Sequence, residues 1–270
     1  HLLNVDLACA HEGPDPRCSW IFDQSKIDGN RLKSIAGPDL LCDGNYLIEK
    51  VGKGTSLRLD GLSNALRSSS DWASVRQILP EDSLTVCAWV SLDETLPDGG
   101  IVSAFQDNGN SESGWVLGYN QNHFSFGLAS TGADDGDGMM TYLSGKTQIQ
   151  PGKWYHVCGV FDGKEMQLWV DGKLESQSDI QKGKILYPEK SKLIIGAYSD
   201  SNEHFVMAGR LSQVVVYDLA AKPAWIAHDF EHQKEWTQLP PVLDPSKGFE
   251  FLVKPFLQYA TQDSIRIVCE

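Results

Sequence analysis

The stretch Trp154-Tyr155-His156-Val157-Cys158-Gly159-Val160-Phe161, followed by Asp162-Gly163 and then Met166–Val170, decides the fold class. Two short runs of β-branched and aromatic residues stand on either side of a dipeptide that tolerates positive φ, which reads as a tight β-hairpin. Asp171-Gly172 marks the next turn in the same way. Runs of this kind recur outward in both directions: Ser83–Val90, Gly100–Phe105, Gly114–Tyr119, His123–Ala129, Lys192–Ala197 and Gly209–Tyr217. Their period is two, and Gly, Asp, Asn or Ser separate them. Many short strands at even spacing predict an all-β fold, an antiparallel two-sheet jelly-roll sandwich. The one helix expected is short and C-terminal, Pro223–Gln233, with Pro at its start and Trp225 and Phe230 on a shared face.

Beyond that helix the pattern changes. Leu239-Pro240-Pro241 and Asp244-Pro245-Ser246 resist helix and sheet alike, so residues 239–248 read as a linker after a domain spanning 1–238. Strand-like alternation restarts over 249–270 and ends in Ser264–Glu270, which predicts the beginning of a second, truncated β domain.

The chain has 270 residues, enough for a substantial core without metals or disulfides. Its 23 Lys+Arg against 36 Asp+Glu give a formal net charge of -13, which argues against binding nucleic acid. No apolar run approaches the roughly 18–20 residues of a membrane span. The six cysteines form no C-x-x-C pair, and their scatter points to an oxidising compartment, extracellular or periplasmic. Residues 1–13 lack the basic and apolar segments of a secretory leader, so export is an inference.

Several stretches resemble the laminin G-like, concanavalin A-like jelly roll, and within it the pentraxin type. They are Trp20–Asp23 with Asp28-Gly29-Asn30, Leu57–Gly61, Leu84–Val90, Trp154–Cys158 through Leu168–Lys173, Lys192–Gly196, and Gly209–Leu219. Ser212 departs from the pattern, standing where the family often has an acid. The residues alone leave Cys87 and Cys158 as buried thiols or a bridge; the resemblance implies a Cys87–Cys158 disulfide. It also implies Ca2+ held by Asp107-Asn108 in one loop and by Asp200, Asn202 and Glu203 in another, although Tyr198 and Ser199 stand where pentraxins place an acid and an amide. Other laminin G-like modules hold Ca2+ near the first loop, which makes Asp23, Asp28 and Asn30 further candidates. Such Asp, Asn and Gly residues are equally ordinary turn formers. The acidic loop Gly132–Gly138 is more charged and reads as solvated.

Val253–Gln258 with Thr261–Ile267 is similar to the opening of the fibronectin-like domain that precedes calcineurin-like metallophosphoesterases of the purple acid phosphatase type. That resemblance implies a phosphoesterase whose catalytic domain lies beyond Glu270.

No catalytic constellation is visible. The paired acids of a glycoside hydrolase strand, a nucleophile elbow, a P-loop and H-E-x-x-H are all missing from the sequence. His156, between Trp154 and Cys158 on a strand, reads as a structural histidine. A sugar site pairs an aromatic face with short polar groups. The candidates are Trp115, Tyr119, Asn120, Asn122, Tyr142, Tyr198 and His204, whereas Trp20, Trp89, Trp154 and Trp169 read as core. The sequence thus points to a non-catalytic module that recognises a carbohydrate or other surface ligand. Two alternatives are a targeting domain of a metallophosphoesterase and a structural or protein-interaction spacer.

Overall fold

The computed structural model describes residues 14–44, 46–95, 98–108, 112–133, 140–234, 256–260 and 265–268. Cys9, Cys269, Asp134–Asp137 and the proposed linker 239–248 lie outside them. The chain divides into two units, residues 1–238 and 239–270. In the second, Phe256–Ala260 pairs antiparallel with Ile265–Val268.

The first unit is a sandwich of two antiparallel sheets. One runs in the order Lys173–Ser178, Met166–Val170, Trp154–Phe161, Leu84–Leu92, Ala208–Tyr217, Gly54–Asp60, Leu47–Val51, with Cys18–Ile21 also paired to Ala208–Tyr217. The other runs Met140–Gln148, His123–Ala129, Ser113–Asn120, Asp98–Gln106, Ile194–Ile195, Ala65–Ser68, Leu40–Asp43, Arg31–Leu32, Ile27–Asp28. The facing sides interdigitate in one core that includes Trp20, Trp115, Tyr119, Phe124, Phe126, Tyr155 and Phe161. Non-consecutive neighbours in both sheets are the crossovers of a jelly roll.

Trp154–Phe161 is buried at every position, which explains why its period-two pattern shows no polar side. Tyr155, Val157 and Phe161 enter the main core. Cys158 and Val160 face the opposite way, into a second cluster with Cys87, Trp169 and Ile226. The helix Pro223–Gln233 covers that outer face. Cys87 and Cys158 are directly opposed in register and form a disulfide. Cys18 and Cys42 are buried free thiols.

The turns correct one expectation. Asp171-Gly172 is a two-residue hairpin turn, φ 48° and 73°, joining Val170 to its partner Lys173. Asp162-Gly163 instead opens a four-residue connection between Phe161 and Met166. The Asp162 carboxylate accepts from the N–H groups of Lys164 and Glu165, which widens that turn. Lys192–Ala197 is also broken: Gly196, at φ 82°, turns the chain out of the sheet into the hairpin Ala197–Ser199/His204–Val206.

Candidate functional site

Strand alternation places Trp115, Leu117 and Tyr119 in the core and turns Val116, Gly118 and Asn120 to the outer side of the second sheet. On the neighbouring strand Phe124, Phe126 and Leu128 point inward, so Ser125 and Gly127 share the outer face. Small residues there leave room for neighbours. A Cβ on Gly100 would stand 2.2 Å from the Ala197 carbonyl oxygen, so glycine lets the hairpin Ala197–Val206 lie close against the sheet. Tyr198 is seated edge-on against Phe105, ring centroids 4.7 Å apart.

Between this hairpin and the sheet lies a cleft of about 380 Å³. Tyr142 and Tyr198 form its aromatic part, Asp98, Asp107 and Glu203 its acidic part, and Asn120, Ser125 and Ser144 its short polar groups. The Asp107 carboxylate organises the centre: its Oδ2 accepts from the Tyr142 hydroxyl at 2.5 Å and the Tyr198 hydroxyl at 2.8 Å. Burial of the hydroxyl ends, with Asp107 beside them, pushes both phenols far above the ordinary tyrosine value, so they act as neutral donors. Asn120 donates to Asp98 at the other end. The Glu203 carboxyl is raised by burial first and then by the charges of Asp200, Asp107 and Asp98. Tyr119 borders the same space at its strand position, while its ring is turned into the core and its hydroxyl is buried without a hydrogen-bond partner among the described residues.

Of the expected ligand-binding residues, the cleft gathers Tyr119, Asn120, Tyr142 and Tyr198. Trp115 is corrected. It is fully buried, with its indole N–H donating to the Tyr187 hydroxyl at 2.9 Å, so it is a packing residue. Asn122 occupies a left-handed turn position, φ 70°, and His204 is exposed on the hairpin; neither lines the cleft. The sequence reading missed Asp98, Ser125 and Ser144. Ser125 and Ser144 are directly paired across two strands, a relation no single stretch reveals.

The proposed calcium ligands fall in two places. Asp107 and Asn108 do face the loop that carries Asp200, Asn202 and Glu203, because Gln106 and Asn108 both donate to the Ser201 hydroxyl. Their oxygens are only partly engaged: Asp200 Oδ2 is buried without a hydrogen-bond partner among the described residues. Asp200 Oδ1 accepts the N–H groups of Asn202 and Glu203, and Asp107 holds the two phenols. Among the described residues no three of these acids bring oxygens within 4.8 Å of one another. Asp23, Asp28 and Asn30 lie elsewhere. Asp23 caps a 3-10 turn through the Ser25 N–H and accepts from the Thr55 hydroxyl, while Asp28 is exposed on a two-residue strand.

The only group of three or more His, Cys, Asp or Glu donors within 4.8 Å among the described residues is Cys87, His156 and Cys158, and both cysteines are in the disulfide. His156 is buried, with Nε2 3.3 Å from Asp229 Oδ2. Asp229 also accepts from Gln233, which in turn accepts the Trp89 indole N–H. These contacts tie the helix to the sheet, a structural role.

A two-sheet jelly roll with an open cleft on one outer face defines a class of β-sandwich modules. The family model described as the concanavalin A-like lectin/glucanases superfamily, of the laminin G type, matches residues 67–227, and the chain belongs to that family. A curated relative, pappalysin-1 of Mus musculus, is 24% identical over 178 residues, which take in 61% of this chain and 11% of pappalysin-1. The chain therefore corresponds to about a tenth of that protein's length. Two solved structures share the fold. The botulinum neurotoxin serotype D ligand binding domain in complex with N-acetylneuraminic acid has a TM-score of 0.60 at 12% identity, covering 81% of this chain and 51% of that one. Domain 4 of AbnA, an extracellular arabinanase from Geobacillus stearothermophilus in complex with arabinotriose, has a TM-score of 0.58 at 13% identity, covering 80% and 98%. Among the described residues no helix is long and apolar enough to cross a membrane.

Proposed function

We propose that the chain is a non-catalytic saccharide-binding module and that the cleft bordered by Tyr142 and Tyr198 is its site. The observation that carries this reading is the pairing of two tyrosine rings with short polar side chains in one cavity of about 380 Å³. A pyranose has an apolar face for the rings and a polar rim for Asn120, Ser125 and Ser144. The complexes of the two similar domains with N-acetylneuraminic acid and arabinotriose support the ligand class. Ca2+ would draw on Asp107, Asp200 and Glu203, carboxylates of the same cleft and its rim, so its effect is read in the same titrations.

An exported, multidomain setting is part of the proposal, supported by the disulfide. In one version of it the module targets a calcineurin-like metallophosphoesterase, supported by the resemblance over Val253–Ile267.

A glycan array followed by calorimetry tests the reading. Tyr142→Ala and Tyr198→Ala should each weaken the strongest hit by about tenfold, the loss of one stacking contact. Full affinity in both variants, or an array with no hit, would overturn it.

A further inference from the structure

We infer that the cleft selects its saccharide by charge: an amino sugar with a free ammonium binds above its N-acetylated counterpart, and both bind above an acidic sugar. This rests on the saccharide reading of the same cleft and adds the charge of the ligand to it.

Three carboxylates, those of Asp98, Asp107 and Glu203, line the cavity, and no lysine, arginine or histidine is among its described lining residues. Asp200 reinforces them from the hairpin turn, and its effect on Glu203 is felt ahead of those of Asp107 and Asp98. The formal net charge of -13 adds the same bias at longer range. A second observation comes from the hairpin turn. Asp200 Oδ2 is buried and has no hydrogen-bond partner among the described residues. A buried acceptor left unpaired is destabilising, so the acids at this rim are short of donors and positive charge.

Counting donors and acceptors gives the same preference. The two phenol protons already go to Asp107, and an amide proton of Asn120 goes to Asp98. What remains open is mostly carboxylate oxygen. An ammonium offers three donors and a positive charge, a hydroxyl one donor and no charge, and an ionised acidic group only acceptors. N-acetylneuraminic acid, seen on the similar neurotoxin domain, carries a carboxylate for which the described lining residues offer no cation. The preference comes from the side chains themselves, so the order holds with a chelator present.

Calorimetry on the whole chain, in EDTA and low salt, tests this with three probes: a glucosamine tetramer with protonated amines, the N-acetylglucosamine tetramer, and a sialyl oligosaccharide. The expected result is an advantage of about tenfold for the free amine over the acetylated probe and no measurable sialyl binding. Glu203→Gln and Asp98→Asn, both at partly exposed positions, should each shrink the advantage to about threefold without moving the urea midpoint, and added salt should shrink it as well. Equal affinity for the two tetramers, sialyl binding with or without added Ca2+, or an advantage untouched by both substitutions would overturn the charge inference while leaving the saccharide reading standing. Binding of none of the probes, together with an empty glycan array, would overturn the saccharide reading itself.

Discussion

Gly127 separates the stability of the sheet from the shape of the cleft. It sits mid-strand, opposite Val116 on one side and Tyr142 on the other. A Cβ at this position would stand 2.5 Å and 2.8 Å from two carbons of the Tyr142 ring and 3.0 Å from a Val116 methyl. Carbon atoms in contact rest about 3.5–4.0 Å apart, so in Gly127→Ala the ring must retreat by about 1 Å. The backbone adds no strain, since Gly127 is not among the glycines of positive φ. Overpacking costs about 1–3 kcal/mol, but alanine regains about 0.5–1 kcal/mol over glycine in a strand. Tyr142 is 44% exposed and can swing outward, which keeps the cost near the lower end. The net expectation is a loss of about 1 kcal/mol in urea unfolding followed by tryptophan fluorescence. Saccharide affinity should fall more steeply, by about tenfold or about 1.4 kcal/mol, because the ring leaves both its stacking position and Asp107. Unchanged affinity alongside the stability loss would show that the Tyr142 ring is no part of the site. No change in either measurement would refute the close approach itself.

Three further outcomes follow from the same structure. Replacing Cys87 and Cys158 together by alanine opens a cross-link between residues 71 apart, and loop entropy puts the cost at about 4 kcal/mol in urea unfolding; a loss below about 1 kcal/mol would count against that account. Burial pushes the Cys18 thiol up to about 12, against a smaller opposing effect of Arg17, and burial with the charges of Asp43 and Asp60 pushes Cys42 up to about 11. Iodoacetamide near neutral pH should therefore modify neither in the folded protein and both in urea, as read by mass mapping. Burial opposes ionisation of Asp60, yet the N–H groups of Ser63, Leu62 and Asn64 and the Ser63 hydroxyl hold its carboxyl down at about 2, below the usual 3.8. A depressed carboxyl stabilises the fold above the unfolded value and loses that contribution as pH falls towards 2. Because Asp60 is exposed, the contribution is about 1 kcal/mol, and Asp60→Asn should flatten the stability profile between about pH 4 and 2.

The strands read most surely from sequence are those whose turns carry their own chemistry. Trp154–Phe161, Met166–Val170 and His123–Ala129 have the bounds that the runs predict. The turn at Gln121-Asn122 was not legible, because both residues adopt positive φ, 46° and 70°, without a glycine to signal it. Met140–Gln148 was missed for a different reason. After Met140 and Thr141 it is largely exposed on its outer side, so polar residues interrupt the run that a buried strand would show.

The site was harder to read because alternation separates two faces without telling which is inside. Trp115 and Tyr119 share a face with Leu117, and that much follows from period two. Whether the face is core or cleft depends on what covers the other one. Val116 is 2% exposed on the outer side, packed with Phe105, Ala129 and Met140. The outer face is therefore nearly as apolar as the inner one at this point, and hydrophobicity cannot rank them. Asp107, Asp200 and Glu203 were legible as acids in loops, but their meeting with Tyr142 and Tyr198 requires pairing across strands and the reversal at Gly196. Tyr119 shows the same ambiguity: its strand position borders the cleft while its ring and hydroxyl are buried in the core, so a residue at the edge of the site need not present its side chain to it.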